Sequence, residues 1–182
     1  METVKKNYLR FSLILILCLL VRMLPFRAPN VEPILAATMP MSRAYGAFMG
    51  LSFAVLSILL YNLLTGTMGI HTLFTAGAYG LLGFWASRYF RKEKTNRRWS
   101  YVRFAIVGTL LFDALTGLTV GPLLFQQPFM SALVGQIPFT ALHLAGNITF
   151  AFFLSPIIYS LLIKKRRREK QIIISTLNPK TI

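Results

Sequence analysis

Long apolar runs, separated by short polar or glycine- and proline-containing stretches, make up most of this 182-residue chain. Five runs are long enough for membrane helices, since a spanning helix needs about 20 residues. They cover about 8–25, 44–63, 71–89, 102–119 and 136–163. The pattern therefore predicts an all-α membrane protein. Its single transmembrane domain covers 8–163, between a short N-terminus, 1–7, and a basic tail, 164–182, which we expect to be loose after residue 170.

Basic residues predict the orientation of these segments. The chain carries 20 Lys+Arg against 5 Asp+Glu, and sixteen of the basic residues fall in the ranges 5–10, 88–103 and 164–170. Basic residues in short loops remain cytoplasmic, so all three clusters should face the cytoplasm. A nucleic-acid-binding domain carries its charge on a solvated face rather than between apolar runs, so we expect no nucleic-acid partner.

The cytoplasmic clusters require an even number of crossings between them, and this predicts a sixth segment. Only about 31–42 can supply it, and 12 residues of helix cover roughly 18 Å. Irregular backbone at membrane depth is tolerated only inside protein or beside a cavity. We therefore expect a six-segment bundle with a short, irregular second segment and with both termini cytoplasmic. The alternative is five spans with the N-terminus outside, which the basic residues at 5–10 oppose.

The predicted outer connections are nearly uncharged. Those at about 64–71 and 120–135 carry no Lys, Arg, Asp or Glu, and both contain glycine, with proline in the second, while the first outer turn holds Arg27. The first span has arginine at both ends, Arg10 and Arg22, whose long side chains we expect to reach the headgroups.

Few polar residues lie at membrane depth, and most lie toward the predicted outer side. They are Glu32, Asn62, His71, Asp113, Gln136, His143 and Asn147. Gln136, Thr140, His143 and Asn147 form a polar stripe along the last helix, because residues three and four apart share a face. Such a stripe indicates either a ligand pocket that opens outward or hydrogen bonding between helices. A carboxyl group as deep as Asp113 needs a partner, such as a histidine or a ligand.

Sequence motifs for catalysis are missing. The sequence contains no nucleotide-binding P-loop, no Gly-x-Ser-x-Gly and no His-Glu-x-x-His, so we predict no enzyme activity. No cofactor or metal site is predicted either, and the single Cys18 lies in an apolar run, as a buried hydrophobic residue would.

Several stretches resemble the substrate-binding S component of an energy-coupling factor (ECF) vitamin transporter. They are Pro-Asn-Val-Glu-Pro at 29–33, Thr-Leu-Phe at 72–74, Tyr-Gly-Leu-Leu-Gly at 79–83, Leu-Phe-Asp-Ala-Leu-Thr-Gly at 111–117, and Gln-Ile-Pro-Phe-Thr-Ala-Leu-His at 136–143 with Asn147. The resemblance covers about 10–163. It implies a multi-pass protein of a prokaryotic cell membrane that binds a vitamin or similar micronutrient in a pocket near the outer face.

The resemblance also implies partners. An S component works with a membrane coupling subunit and two cytoplasmic ATPases, and many dock through an Ala-x-x-x-Ala motif on the first helix. Residues 8–25 contain no alanine, so Ala36 with Ala37, or Gly46 with Gly50, would have to serve instead.

The predicted substrate-binding residues combine both arguments. They are Asp113, His143, Asn147, Gln136, Thr140, His71, Asn62 and Glu32. The alternative function is a non-transport membrane scaffold of a cell-envelope assembly, in which helix–helix bonds would use the whole polar stripe.

Overall fold

The computed structural model describes residues 2–26, 28, 30–93 and 95–177, with the side chains of 7–26, 28, 30–93 and 95–163. These residues form seven helices and no strand. The helices are α1 (Glu2–Arg22), α2 (Ile34–Tyr45), α3 (Ala47–Leu64), α4 (Ile70–Arg91), α5 (Arg98–Gly117), α6 (Val120–Phe125) and α7 (Phe129–Leu177). The predicted all-α class is confirmed, and each of the six predicted segments corresponds to one helix.

Three stretches of the described chain are long and apolar enough to cross a membrane. They are Ala47–Leu64, Arg98–Phe125 and Phe129–Ile163. Only 33% to 39% of their most apolar windows is buried inside the protein. Apolar surface exposed on this scale requires a non-aqueous surrounding, so the chain is a membrane protein.

The second segment is a regular helix, so the prediction of an irregular segment is wrong. It is short, as predicted, and residues Ile34–Ser42 are all buried. Helix α2 packs against α3, α4 and α7. Pro40 lies inside it and cannot donate a hydrogen bond to the carbonyl of Ala36. The Ser155 hydroxyl of α7 donates to that carbonyl instead, at 2.7 Å. A neighbouring helix therefore replaces the missing bond, and the helix continues.

The bond from Ser155 gives a testable prediction. We expect Ser155→Ala to cost about 1 to 2 kcal/mol, because it leaves a buried carbonyl without a donor. In the Pro40→Ala background the same change should cost little, since residue 40 then has an N–H of its own for Ala36. A double-mutant cycle of thermal unfolding in detergent measures this coupling. Equal costs in both backgrounds would show that Ser155 does not compensate for Pro40.

Two differences from the prediction concern the ends of α7. The connection predicted at 120–135 is largely helical, because α6 fills 120–125 and α7 begins at Phe129. Pro122 and Pro128, which favoured a loop, lie where helices begin, and proline is well tolerated there. Gln126, in the left-handed conformation, separates the two helices. At the other end, the backbone of α7 continues through Leu177, whereas we expected a loose segment after 170; residues 178–182 lie outside the described chain.

Glycines allow α3 and α4 to pack at close range. A Cβ atom on Gly83 of α4 would lie 2.5 Å from the carbonyl oxygen of Gly50 on α3, so neither helix has room for a larger residue there. The Ser42 hydroxyl of α2 lies 2.8 Å from the Gly83 carbonyl and fills the same junction. Gly46 takes a positive φ of 93° and makes the sharp connection between α2 and α3.

Three of the four residues suggested for docking lie inside the protein and present no docking surface, whereas Gly46 is exposed. Ala36 and Ala37 are fully buried, and Gly50 is covered by Gly83. The reason is that α2 is central in the bundle rather than peripheral.

The loop between α4 and α5 is attached to α2 by Arg43. The guanidinium donates through Nη1 to the Tyr101 hydroxyl at 2.9 Å, and through Nη2 to the carbonyls of Glu93 and Thr95 at 2.9 and 3.0 Å. It also lies over the Tyr159 ring of α7, 4.1 Å from the centroid. We refer to this end of the bundle, which holds residues 92–97, as the basic end.

Asn96 extends this attachment to α7. Its amide donates to the Pro156 carbonyl and to the Ser160 hydroxyl, both at 3.0 Å, while its Oδ1 accepts from the Tyr101 hydroxyl at 3.0 Å. The loop is therefore held to three helices by hydrogen bonds.

Candidate functional site

A polar cavity of about 190 Å³ lies at the opposite end of the bundle from residues 92–97. Its lining comes from α1, α3, α4, α5, α7 and the connection between α1 and α2. The lining residues are Arg22, Asn30, Glu32, Ile58, Thr75, Tyr79, Phe112, Thr116, Phe139 and His143. We call this end the cavity end. A site built from so many segments has a shape that depends on the whole fold.

Glu32 is the centre of one polar group in the cavity. Its Oε1 accepts from the Tyr79 hydroxyl at 2.6 Å, and its Oε2 lies 2.8 Å from Nε of Arg22. The guanidinium of Arg22 in turn lies over the Tyr61 ring, 3.8 Å from the centroid. A buried carboxylate needs this kind of pairing to offset its desolvation. Arg22 thus points into the protein, and the expectation that it reaches the headgroups is wrong.

His143 and Asp113 form the second polar group. The histidine Nδ1 lies 2.7 Å from Oδ1 of Asp113, and both residues are almost fully buried. The predicted partner of Asp113 is thereby found. Phe112 and Phe139 contact the imidazole edge to face, with centroids 5.6 and 5.9 Å away. These contacts fix the ring, and Asp113 engages Nδ1, so Nε2 is the ring nitrogen left for another partner.

Asn147 pairs one turn further along α7. Its amide donates to the Thr109 hydroxyl of α5 at 2.8 Å. Helices α5 and α7 are therefore joined by two consecutive pairs, Thr109 with Asn147 and Asp113 with His143. Among the described residues, Oδ2 of Asp113 and Oδ1 of Asn147 are buried without a hydrogen-bond partner. Buried acceptors of this kind are normally satisfied by protein, water or a ligand.

The remaining predicted residues lie away from the cavity lining. Gln136 donates to the Thr140 hydroxyl at 3.3 Å, and both are partly buried beside α5. Asn62 donates to the Thr72 hydroxyl at 2.9 Å and so joins the end of α3 to the start of α4. His71 lies at that same turn and is partly exposed. The structure therefore places Glu32 and His143 in one cavity, with Asp113 and Asn147 behind them.

Sequence reasoning missed several lining residues, notably Arg22, Tyr79 and Asn30. One signal was present. Four basic residues lie outside the three basic clusters: Arg22, Arg27, Arg43 and Lys180. Of the two that the structure describes, Arg22 pairs in the cavity and Arg43 holds the basic end. An arginine outside the three clusters that set the predicted membrane orientation was thus a marker of a buried polar contact. Tyr79 and Asn30 had no such marker.

Comparisons with protein-family models, with curated proteins and with solved structures find no match for the chain. The fold and the site alone therefore define its class. It is an all-helical membrane protein with a polar cavity at one end of the bundle.

Proposed function

We propose that the protein is the substrate-capture subunit of an ATP-driven importer of a vitamin or related micronutrient. The observation that carries this proposal is the cavity, which Glu32 and His143 line together with aromatic side chains. A concave site with a few convergent polar groups is typical of small-molecule binding. Two cytoplasmic ATPases and a membrane coupling subunit, all separate chains, would supply the energy and release the ligand inside.

The orientation belongs to the same proposal. The chain crosses the cell membrane six times, both termini are cytoplasmic, and the cavity opens outward. Support comes from the distribution of charge. Two of the three connections at the cavity end, 65–69 and 118–128, contain no Lys, Arg, Asp or Glu, and the third, 23–33, holds one of each sign, Arg27 and Glu32, whereas the loop 92–97 at the other end is basic. The rule that basic loops remain inside then orients the cavity toward the exterior.

The cavity limits the ligand. Its volume of about 190 Å³ lies below the roughly 300 to 1,000 Å³ of sites for drug-sized molecules. A ligand smaller than a drug-sized molecule therefore fits without movement of the lining residues. The charged lining is balanced, because Arg22 and Glu32 neutralise each other. This favours a ligand of little net charge. Its polar groups would bond to Glu32, Tyr79 and Nε2 of His143, while Phe112 and Phe139 cover its apolar part.

Binding of radiolabelled water-soluble vitamins to the purified protein tests this proposal. We expect one of them to bind, and Glu32→Gln to raise its Kd by about 10- to 100-fold, because a charge-assisted hydrogen bond is worth about 1.5 to 3 kcal/mol. Glu93→Gln is the matched control, since this carboxylate lies at the basic end and should leave Kd unchanged. Equal Kd values for all three proteins would refute the site, and no binding of any vitamin would count against the function.

A second candidate function is a non-transport scaffold in a cell-envelope assembly. One observation favours it, namely that the pairs Thr109–Asn147 and Asp113–His143 use much of the polar stripe between helices. Mass spectrometry of protein purified from its native membrane separates the two functions. A capture subunit should release a stoichiometric small molecule on denaturation, whereas a scaffold should release only lipid and retain envelope proteins.

A further inference from the structure

The structure assigns a binding site for an anionic phospholipid headgroup to the C-terminal end of α4. An open groove of about 610 Å³ lies there, which we call the α4 groove. It is lined by Trp85, Arg88, Tyr89, Arg91, Lys92 and Glu93. This assignment rests on the protein being in a membrane and is independent of the proposed transport function.

The floor of the α4 groove is aromatic and held in place. Trp85 and Tyr89 are one helical turn apart on the same face, with ring centroids separated by 6.3 Å. Both rings also contact Phe104 of α5, at 4.6 and 5.2 Å. Tryptophan and tyrosine concentrate at membrane–water interfaces, where one side of the ring is apolar and the other is wet. The floor therefore suits the glycerol and upper acyl region of a lipid.

The rim of the α4 groove is basic. Arg88, Arg91 and Lys92 contribute three cations, while Glu93 contributes the single carboxylate of the lining. Among the side chains that the structure describes, none of these three cations forms an ion pair with a carboxylate. The guanidinium of Arg88 lies over the Phe84 ring, 3.9 Å from the centroid, which positions it at the rim. Unpaired cations beside an aromatic floor match the phosphate of a headgroup.

An anionic headgroup is favoured over a zwitterionic one. Each basic side chain near a negatively charged membrane surface strengthens binding by roughly fivefold. With two cations in excess at the rim, we expect about a tenfold or greater preference for phosphatidylglycerol over phosphatidylcholine. Arginine is suited to this role, because its planar guanidinium contacts two phosphate oxygens together.

Quenching of Trp85 by brominated lipids measures this preference. The chain contains two tryptophans, so Trp99→Phe leaves Trp85 as the single tryptophan, which is excited selectively at the red edge of the absorption band, where tyrosine does not absorb. The full-length protein is reconstituted in phosphatidylcholine, and acyl-brominated phosphatidylglycerol or phosphatidylcholine is titrated in. We expect half-maximal quenching at about a tenfold lower mole fraction of the anionic lipid. Equal mole fractions for the two lipids would overturn the site.

Paired variants separate this groove from the general charge of the basic end. Arg88→Gln with Arg91→Gln should abolish the preference, while Arg88→Lys with Arg91→Lys should retain most of it. Arg97→Gln with Arg103→Gln removes the same charge from exposed positions outside the groove and should leave the preference intact. If this control loses the preference equally, the effect is a general surface field and the site is overturned. Reversal of quenching by millimolar inorganic phosphate would show a site for free phosphate, and would overturn the lipid assignment.

Discussion

His143→Leu is expected to lower the apparent unfolding temperature by about 10 °C. The substitution leaves the carboxyl group of Asp113 buried at the α5–α7 interface without its imidazole partner. Removing one member of a buried pair costs about 3 to 5 kcal/mol, and each kcal/mol corresponds to roughly 2 to 4 °C in a chain of this size. Loss of monodisperse protein on heating in detergent, followed by size-exclusion chromatography, measures the shift.

The double variant Asp113→Leu with His143→Leu is the informative comparison. Replacing both members by apolar residues removes the uncompensated group, so stability should return to within about 1 to 2 kcal/mol of the parent protein. Gln136→Leu on the same helix is the matched control, because this side chain is only partly buried and bonds only locally to Thr140. A double variant as unstable as His143→Leu would show that packing, rather than the pair, dominates the interface.

The two His143 variants also separate stability from binding. The double variant, though stable, should bind no vitamin, because the imidazole that lines the cavity is gone. If the double variant bound the vitamin as well as the parent protein, His143 would have only a structural role. That result would support the second candidate function, the scaffold, in which the polar stripe joins helices.

Five of the six segments could be predicted because their signal, an apolar run, is local. The second was predicted from the number of crossings that the distant basic clusters require, and the buried helix α2 lies at that place. Its helical character could not be predicted, because the bond that compensates for Pro40 comes from Ser155, 115 positions beyond it in the chain. Compensation by a distant residue leaves no local pattern in the sequence.

The candidate site was predictable in part for the same reason. Spacing alone placed His143 and Asn147 on one helix face, and the chemistry of a buried carboxyl required a partner for Asp113. Which of Asn62, His71 and Glu32 lines the cavity depends on how the connection between α1 and α2 turns into the bundle. The left-handed Asn30 and the ion pair of Glu32 with Arg22 settle that turn. These are tertiary contacts, and sequence periodicity does not encode them.

Arg43→Leu is the second substitution with a large expected effect, and it acts at the basic end. It removes the donors to Tyr101, Glu93 and Thr95 together, for an expected loss of about 2 to 4 kcal/mol, or roughly 8 °C. The loop 92–97 should also open, because two of its carbonyls lose the guanidinium as their hydrogen-bond donor. Trypsin should then cleave after Lys92 or Arg97 about tenfold faster than in the parent protein.

Two controls identify the cause of this loosening. Arg103→Leu removes an exposed arginine of α5 and should change neither stability nor cleavage. Arg43→Lys keeps the charge but lacks the planar fork that reaches several oxygens together, so its effect should be intermediate. If Arg43→Lys matched the parent protein, charge alone would hold the loop. If Arg43→Leu were cleaved no faster, the bonds from Asn96 to Pro156 and Ser160 would suffice to hold the loop.

The Arg43 contacts join the central helix α2 to the loop and, through Tyr159, to α7. Faster cleavage in Arg43→Leu, with neither control cleaved as fast, would therefore show that α2 holds the loop at the basic end in place. The other end of α2 adjoins the cavity.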